Sequence, residues 1–150
     1  MLFGRDKADD TKSRSRIRRV LVVEDEPLIA FDNEHALEAA GYSVAATVED
    51  YDHAAAVIDA GGIDLLVADV ALHGQKTGID LAAYALDLGL PVLFVTGSCP
   101  AQARHLAIGC LAKPYASRDL VLAIRAVDAV LRGRAPRRMP PGLTLFADPA

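Results

Sequence analysis

The chain has 150 residues, 52% of them apolar, 24% charged and 5% aromatic, with a formal net charge of −4. That length suits one domain with a core able to fold alone, and two cysteines cannot frame a disulfide-stapled fold. No apolar run is long enough to span a bilayer and the first ten residues lack a hydrophobic signal segment, so membrane spans, secreted disulfide proteins and large multidomain enzymes are excluded and a reducing cytoplasm is expected.

Residues 1–17 show no periodicity and are expected to be a flexible basic leader, with Arg14, Arg16, Arg18 and Arg19 read as a solvated run. Val20–Val23 is a compact run of β-formers ended by charge. Pro27 suits the first turn of a helix, Ile29, Ala36, Leu37 and Ala40 follow at helical spacing, and Gly41 stops it. Val44, Ala46 and Val48 alternate as a half-buried strand. Ala54, Val57 and Ile58 mark a second helix closed by Gly61-Gly62. Leu65–Ala68 is another buried run, and Ile79, Ala82, Ala83 and Leu86 give a third helix ending at Gly89. Val92–Val95 is the most strand-like segment. Pro100–Leu106 has room for one or two helical turns, and Gly109–Ala112 is a weak fifth strand. Ser117 is expected to cap a last helix with Leu120, Ile124, Val127 and Leu131 on one face. Beyond it, 132–150 reads as a tail rich in proline and arginine, in which a regular helix is ruled out.

Five apolar runs alternating with helical segments specify an α/β domain over 18–131: a doubly wound, five-stranded parallel sheet of the flavodoxin-like (βα)5 type with a shortened fourth helix. In such a sheet ligands bind beyond the carboxyl ends of the strands, where strand order reverses. The residues at those ends are Glu24, Asp25 and Glu26 after the first strand and Asp69 after the third. Thr96 and Gly97 follow the fourth, and Lys113 and Pro114 the fifth. Three carboxylates in one crevice repel each other unless a counter-charge joins them, and oxygen ligands of this kind suit Mg²⁺. A metal-binding carboxylate pair, a hydroxyl and an ammonium are also what phosphoryl transfer to Asp69 requires. The balance of charge agrees: segment 20–131 is strongly acidic while both ends are basic, which argues against nucleic acid as the direct ligand.

The stretches VLVVEDEP (20–27), LLVADVAL (65–72), FVTG (94–97) and KPY (113–115) resemble the receiver domains of two-component response regulators. The resemblance implies phosphorylation of Asp69 by a histidine kinase. It also implies Asp25 as a Mg²⁺ ligand, Glu24 placing a metal-bound water, and the Ala71 backbone carbonyl as a further ligand. Thr96 is then the switch hydroxyl and Lys113 the phosphate-binding cation. Receivers usually carry an aromatic switch residue three positions before that lysine. Here the place is Cys110, with Tyr115 as a substitute candidate. The FVTG and KPY motifs are similar to a stand-alone, Phe-x-Thr-Gly subgroup of alphaproteobacteria that works with histidine kinases of the HWE or HisKA2 type. The expected output is contact with a partner protein, by a monomer or weak homodimer, through the face made by the short fourth helix, the fifth strand and the last helix.

Three other readings share the fold: a phosphate sink, a phosphorylation-independent adaptor, and a haloacid-dehalogenase-like phosphatase. The last needs its acid two residues beyond a nucleophile at the first strand, where Glu24-Asp25-Glu26 stands, and it needs a substrate cap. His73 is expected to be an exposed loop histidine. Cys99 and Cys110 lie in apolar or small-residue surroundings, and Cys99 is expected to be a small buried thiol in preference to a redox-sensitive one.

Overall fold

The computed structural model describes residues 15–146. Five parallel strands alternate with helical segments: β1 (Arg19–Val23), α1 (Pro27–Ala39), β2 (Ser43–Val48), α2 (Tyr51–Ala60), β3 (Leu65–Asp69), α3 (Gly78–Asp87), β4 (Val92–Thr96), a 3-10 segment (Ala101–Leu106), β5 (Gly109–Ala112) and α4 (Ser117–Leu131). The strands lie in the order β2-β1-β3-β4-β5, which gives the doubly wound architecture expected from the alternation. The fourth crossover is the abbreviated one, a 3-10 segment in place of an α-helix.

Both faces of the sheet are covered, and side chains alternate between them along each strand. Val20, Val22, Leu65, Val67, Leu93, Val95 and Leu111 point to one side, where Leu37 of α1 and Leu120 and Ile124 of α4 meet them. Leu21, Val23, Leu66, Ala68, Phe94 and Cys110 point to the other, against Ala54 and Ile58 of α2 and Leu81 and Ala85 of α3. The inner strands β3 and β4 are buried along their whole length and are apolar up to their last residue, so their period of two cannot be read from the sequence, whereas the edge strand β2 is only half-buried and keeps its alternation.

Helix starts follow local chemistry. Asp50 accepts the His53 amide at α2, and at α3 Thr77 and Asp80 form a reciprocal capping box. The expectation for Ser117 is corrected: it is the first helical residue of α4, and the Asp119 carboxylate accepts from the Ala116 amide instead.

Two boundaries also differ from expectation. Residues 1–14 of the expected leader and 147–150 of the tail lie outside the described residues. Ile17, placed in the leader by the sequence, is buried, and its amide and that of Arg16 both donate to Asp128 Oδ1 of α4, at 3.0 and 2.8 Å. The tail contributes a sixth strand, β6 (Leu143–Leu145), antiparallel to β5. Pro140, Pro141 and Gly142 (φ +82°) turn the chain back toward the sheet, and Gly109 admits it: a Cβ there would stand 2.8 Å from the Thr144 carbonyl. The edge of β5 is thereby paired, and the sheet ends instead on the three-residue β6, a short edge that offers little to strand addition. Among the described residues no helix is long and apolar enough to cross a membrane.

Asp128 is 8% exposed and serves two amides, the buried one of Ile17 and the part-buried one of Arg16. Replacing it with Ala strands both donors, and an expected loss of about 1–3 kcal/mol follows from leaving such groups unpaired. Asp128→Asn, which keeps an acceptor oxygen, is expected to lose less. Chemical denaturation of the two variants beside the parent checks the order.

Candidate functional site

Strand order reverses at β1, which has β2 on one side and β3 on the other, so β1 and β3 end side by side while their helices leave to opposite faces. Glu24 extends β1 by one hydrogen bond, its amide donating to Val48 O at 2.9 Å, and its side chain is buried. Asp25 follows at the rim. Asp69 is the last residue of β3 and is buried. One oxygen from each of these carboxylates lies within 4.8 Å of the others. At that spacing the charges repel strongly, and something of opposite sign must sit among them.

Lys113 supplies it from just beyond β5. Its Nζ donates to Asp69 Oδ2 at 2.8 Å and stands 2.9 Å from Glu24 Oε1. The second contact is an ion pair without hydrogen-bond alignment, which leaves Glu24 Oε1 a buried oxygen short of a donor. The other oxygens are held by backbone: Glu24 Oε2 accepts from the Glu26 amide at 3.1 Å, and Asp69 Oδ1 from the Ala71 amide at 3.0 Å. Burial pushes the Glu24 carboxyl above its ordinary pKa, against the pull of Lys113 and the Glu26 amide. Burial works against the Lys113 ammonium, but its bond to Asp69 and the close negative charge of Glu24 outweigh that and raise it above an ordinary lysine.

The three-carboxylate cluster fits a hard divalent cation. All its donors are oxygens, they converge, and the under-satisfied Glu24 Oε1 offers a lone pair to a metal-bound water. The backbone beneath is fitted closely too. A Cβ on Gly78, at the start of α3, would fall 2.1 Å from the Asp69 carbonyl oxygen, so only glycine lets α3 begin against the end of β3.

The remaining candidates lie around this centre. Thr96 ends β4 and is buried; its hydroxyl accepts a long 3.4 Å bond from the Ser98 amide, and its carbonyl accepts the Lys113 amide at 2.8 Å. The part of Ala71 that touches Asp69 is its amide. Tyr115 is half-buried, with its hydroxyl donating to Asn33 Oδ1 of α1 at 3.0 Å, and burial pushes its phenol up to about 12. Asn33 itself is buried with Nδ2 unpaired, a position that sequence reading passed over because a lone Asn on a helix carries no signal.

Two expectations change. His73 is an exposed loop residue, as anticipated, yet its Nδ1 lies 2.9 Å from Asp25 Oδ2, so it joins the rim of the acidic pocket. Its spacing of four residues from Asp69 was the available signal. Cys99 is neither buried nor a thiol: it is exposed and forms a disulfide with Cys110, with Cα atoms 6.1 Å apart. The loop after β4 folds back over the sheet and brings Cys99 to the β5 residue that pairs with Phe94, so the position expected to carry a switch aromatic holds a crosslink instead.

With this geometry in place, comparison with known proteins is decisive. The model of the response regulator receiver domain matches residues 20–125. The chain belongs to the response regulator receiver family. It is 36% identical over 132 residues to the transcriptional regulatory protein TcrA of Mycobacterium tuberculosis, a match covering 83% of this chain and 50% of that one. It is 31% identical over 113 residues to the transcriptional regulatory protein PdtaR of the same species, covering 71% and 55%. The chain thus spans about half the length of the curated relatives it matches. Its fold is like that of a CheY-like receiver domain from Methanospirillum hungatei, with a TM-score of 0.69 and 24% identity over 78% of this chain and 97% of the other. Receivers are signalling domains of two-component systems rather than enzymes with a small-molecule substrate, which removes the phosphatase reading, and they generally bind Mg²⁺ in an acidic pocket.

Since Lys113 compensates the cluster, Lys113→Ala is expected to destabilise the receiver by about 2–3 kcal/mol at neutral pH. Glu24 is already raised by burial, so its folded form binds a proton more readily than the unfolded chain does. Stability of the variant is therefore expected to rise as pH falls through the raised value toward the ordinary glutamate value. Urea melts at about pH 7.5 and about pH 5 read the sign, and added Mg²⁺ is expected to restore more stability to the variant than to the parent.

Proposed function

We propose that this receiver accepts a phosphoryl group on Asp69 from a histidine kinase and signals through protein–protein contacts. The observation that carries the reading is the gathering of Glu24, Asp25 and Asp69 around Lys113 at the carboxyl edge of the sheet. An Asp69 carboxylate oxygen attacks the phosphorus of the kinase phosphohistidine. The new O–P bond forms as the P–N bond breaks, and the imidazole leaves with the electron pair. Asp25 and Asp69, with Glu24 positioning a water and the Ala71 carbonyl adding an oxygen, would hold Mg²⁺, which when bound supplies charge neutralisation for the transferred oxygens.

Lys113 stands ready to pair with the phosphoryl group because it already bonds Asp69 and is held in place through its amide by Thr96 O. Thr96 supplies a hydroxyl from the neighbouring strand end. Drawing that hydroxyl toward a new dianion breaks its long bond from the Ser98 amide, which frees the loop after β4. Tyr115, tethered to Asn33, is the aromatic candidate for reporting that change, since Cys110 has no ring. A kinase of the HWE or HisKA2 type, acting in the cytoplasm, is the proposed donor.

Incubation with acetyl phosphate and Mg²⁺ followed by intact-mass measurement tests the acceptor. One added phosphoryl group is expected, absent in Asp69→Asn and slowed roughly tenfold or more in Asp25→Asn. Undiminished labelling of Asp69→Asn would overturn the assignment.

A further inference from the structure

The Cys99–Cys110 bond lies inside the segment that runs from Thr96 to Lys113, the two residues proposed to answer a phosphoryl group on Asp69. Apart from this bond the part of the segment before β5, residues 97–107, is lightly held. The bonds at the two ends of its 3-10 stretch are long, 3.2 Å from the Ala103 amide to Pro100 O and 3.4 Å from the Ala107 amide to Arg104 O. Ala103 departs from helical geometry at φ −112° and ψ 16°. The other anchors are burial of Pro100 and of the small Ala103 side chain, partial burial of Leu106 and Ala107 against the core, and the Arg104 guanidinium resting 5.2 Å from the Phe146 ring centroid. A covalent closure adds much to a segment with so few contacts of its own.

The two sulfurs are also unequal. Cys99 is exposed on the loop, whereas Cys110 is fully buried on the sheet face that carries Phe94 and Ala103. A thiolate from solution therefore meets Cys99 Sγ first and expels Cys110.

We propose that Cys99 and Cys110 form a reversible thiol–disulfide exchange site that pins the β4–β5 segment when oxidised and releases it when reduced. In the opening direction a low-molecular-weight thiol of the glutathione class attacks Cys99 Sγ as its thiolate. The protein S–S bond breaks, a mixed disulfide forms on Cys99, and Cys110 leaves with the electron pair and takes up a proton. A second thiolate attacks the outer sulfur of the mixed disulfide, giving the small-molecule disulfide and the Cys99 thiolate. The net change is reduction of one protein disulfide and oxidation of two small thiols. Closure is the same sequence in reverse, driven by a small-molecule disulfide.

The consequence for signalling rests on the phosphoacceptor reading above. Movement of the Thr96 hydroxyl breaks the Ser98 amide bond that helps hold the loop bearing Ser98 and Cys99, and the crosslink still ties that loop to β5. Oxidation accordingly uncouples Asp69 chemistry from rearrangement of the segment, while the acidic pocket, built on β1 and β3, keeps its structure.

The test uses the full chain equilibrated with reduced or oxidised glutathione. Thiol titration is expected to find two free thiols in the first state and none in the second. Amide exchange over 97–108 is expected to be roughly threefold or more faster in the reduced protein, with residues of β1 and β3 unchanged. Cys99→Ser, an exposed substitution that leaves core packing intact, is expected to match the reduced parent in both buffers. Acetyl phosphate with Mg²⁺ is then expected to change exchange in this segment in the reduced protein and not in the oxidised one. Two free thiols persisting in oxidised glutathione, equal exchange over 97–108 in both states, or an equal acetyl phosphate response in both overturns the proposal. If Asp69 takes no phosphoryl group in either state, the acceptor reading fails, and the thiol count and basal exchange still decide the exchange site independently.

Discussion

The arrangement on which this receiver depends is the ion cluster formed by Glu24, Asp25, Asp69 and Lys113. Its members come from three strands, and only the strand order β2-β1-β3-β4-β5 brings their ends to one place. Two buried carboxylates and a third at the rim are unfavourable alone, and one lysine cannot neutralise all three. The deficit is left where a cation can meet it, at an oxygen of Glu24 that Lys113 approaches without bonding well. Local charge imbalance of this kind suits the proposed binding of a divalent cation. The apolar faces of the sheet supply the stability that such a site cannot.

Strand β5 carries more attachments than its four residues would suggest. Lys113 at its end binds the acidic pocket, β6 pairs along its outer edge, and Cys110 in its middle is crosslinked to the loop after β4. A parallel sheet of this type would otherwise end at β5 with a bare edge, and the 3-10 segment beside it is too short to cover the ground of a full helix. The antiparallel strand and the crosslink share that task. Phe146, just past β6, joins them by donating its amide to Ile108 O and stacking beneath Arg104 of the 3-10 segment.

Strand ends and helix stops were legible in the sequence because each has a local cause. Apolar runs stop at charge, and Pro27, Gly41 and Gly89 punctuate helices by backbone chemistry alone. The pocket followed, since the doubly wound topology converts residues after the first, third and fifth strands into neighbours. What escaped was everything that depends on a long-range approach without a local pattern. Leu143–Leu145 is too short to show alternation. Ile17 looked like part of a basic leader because its reason for burial, the carboxylate of Asp128, lies far along the chain. The disulfide escaped for the same cause: two cysteines in apolar surroundings have the composition of buried thiols, and only the path of the β4–β5 crossover makes them partners.

That crossover is where the two chemistries of this receiver meet. In the proposed reading a phosphoryl group on Asp69 would act on it through the Thr96 hydroxyl at one end and the Lys113 ammonium at the other, both by electrostatics. The disulfide acts within it, by covalent constraint, at a position where an aromatic side chain would have acted by packing. A ring that swings between two environments shifts populations by a few kcal/mol at most, in either direction. A covalent tie instead removes one of the two states while it lasts. On that proposal, Cys110 in place of an aromatic would exchange a graded element for a conditional one, the condition being set by thiol chemistry rather than by a kinase.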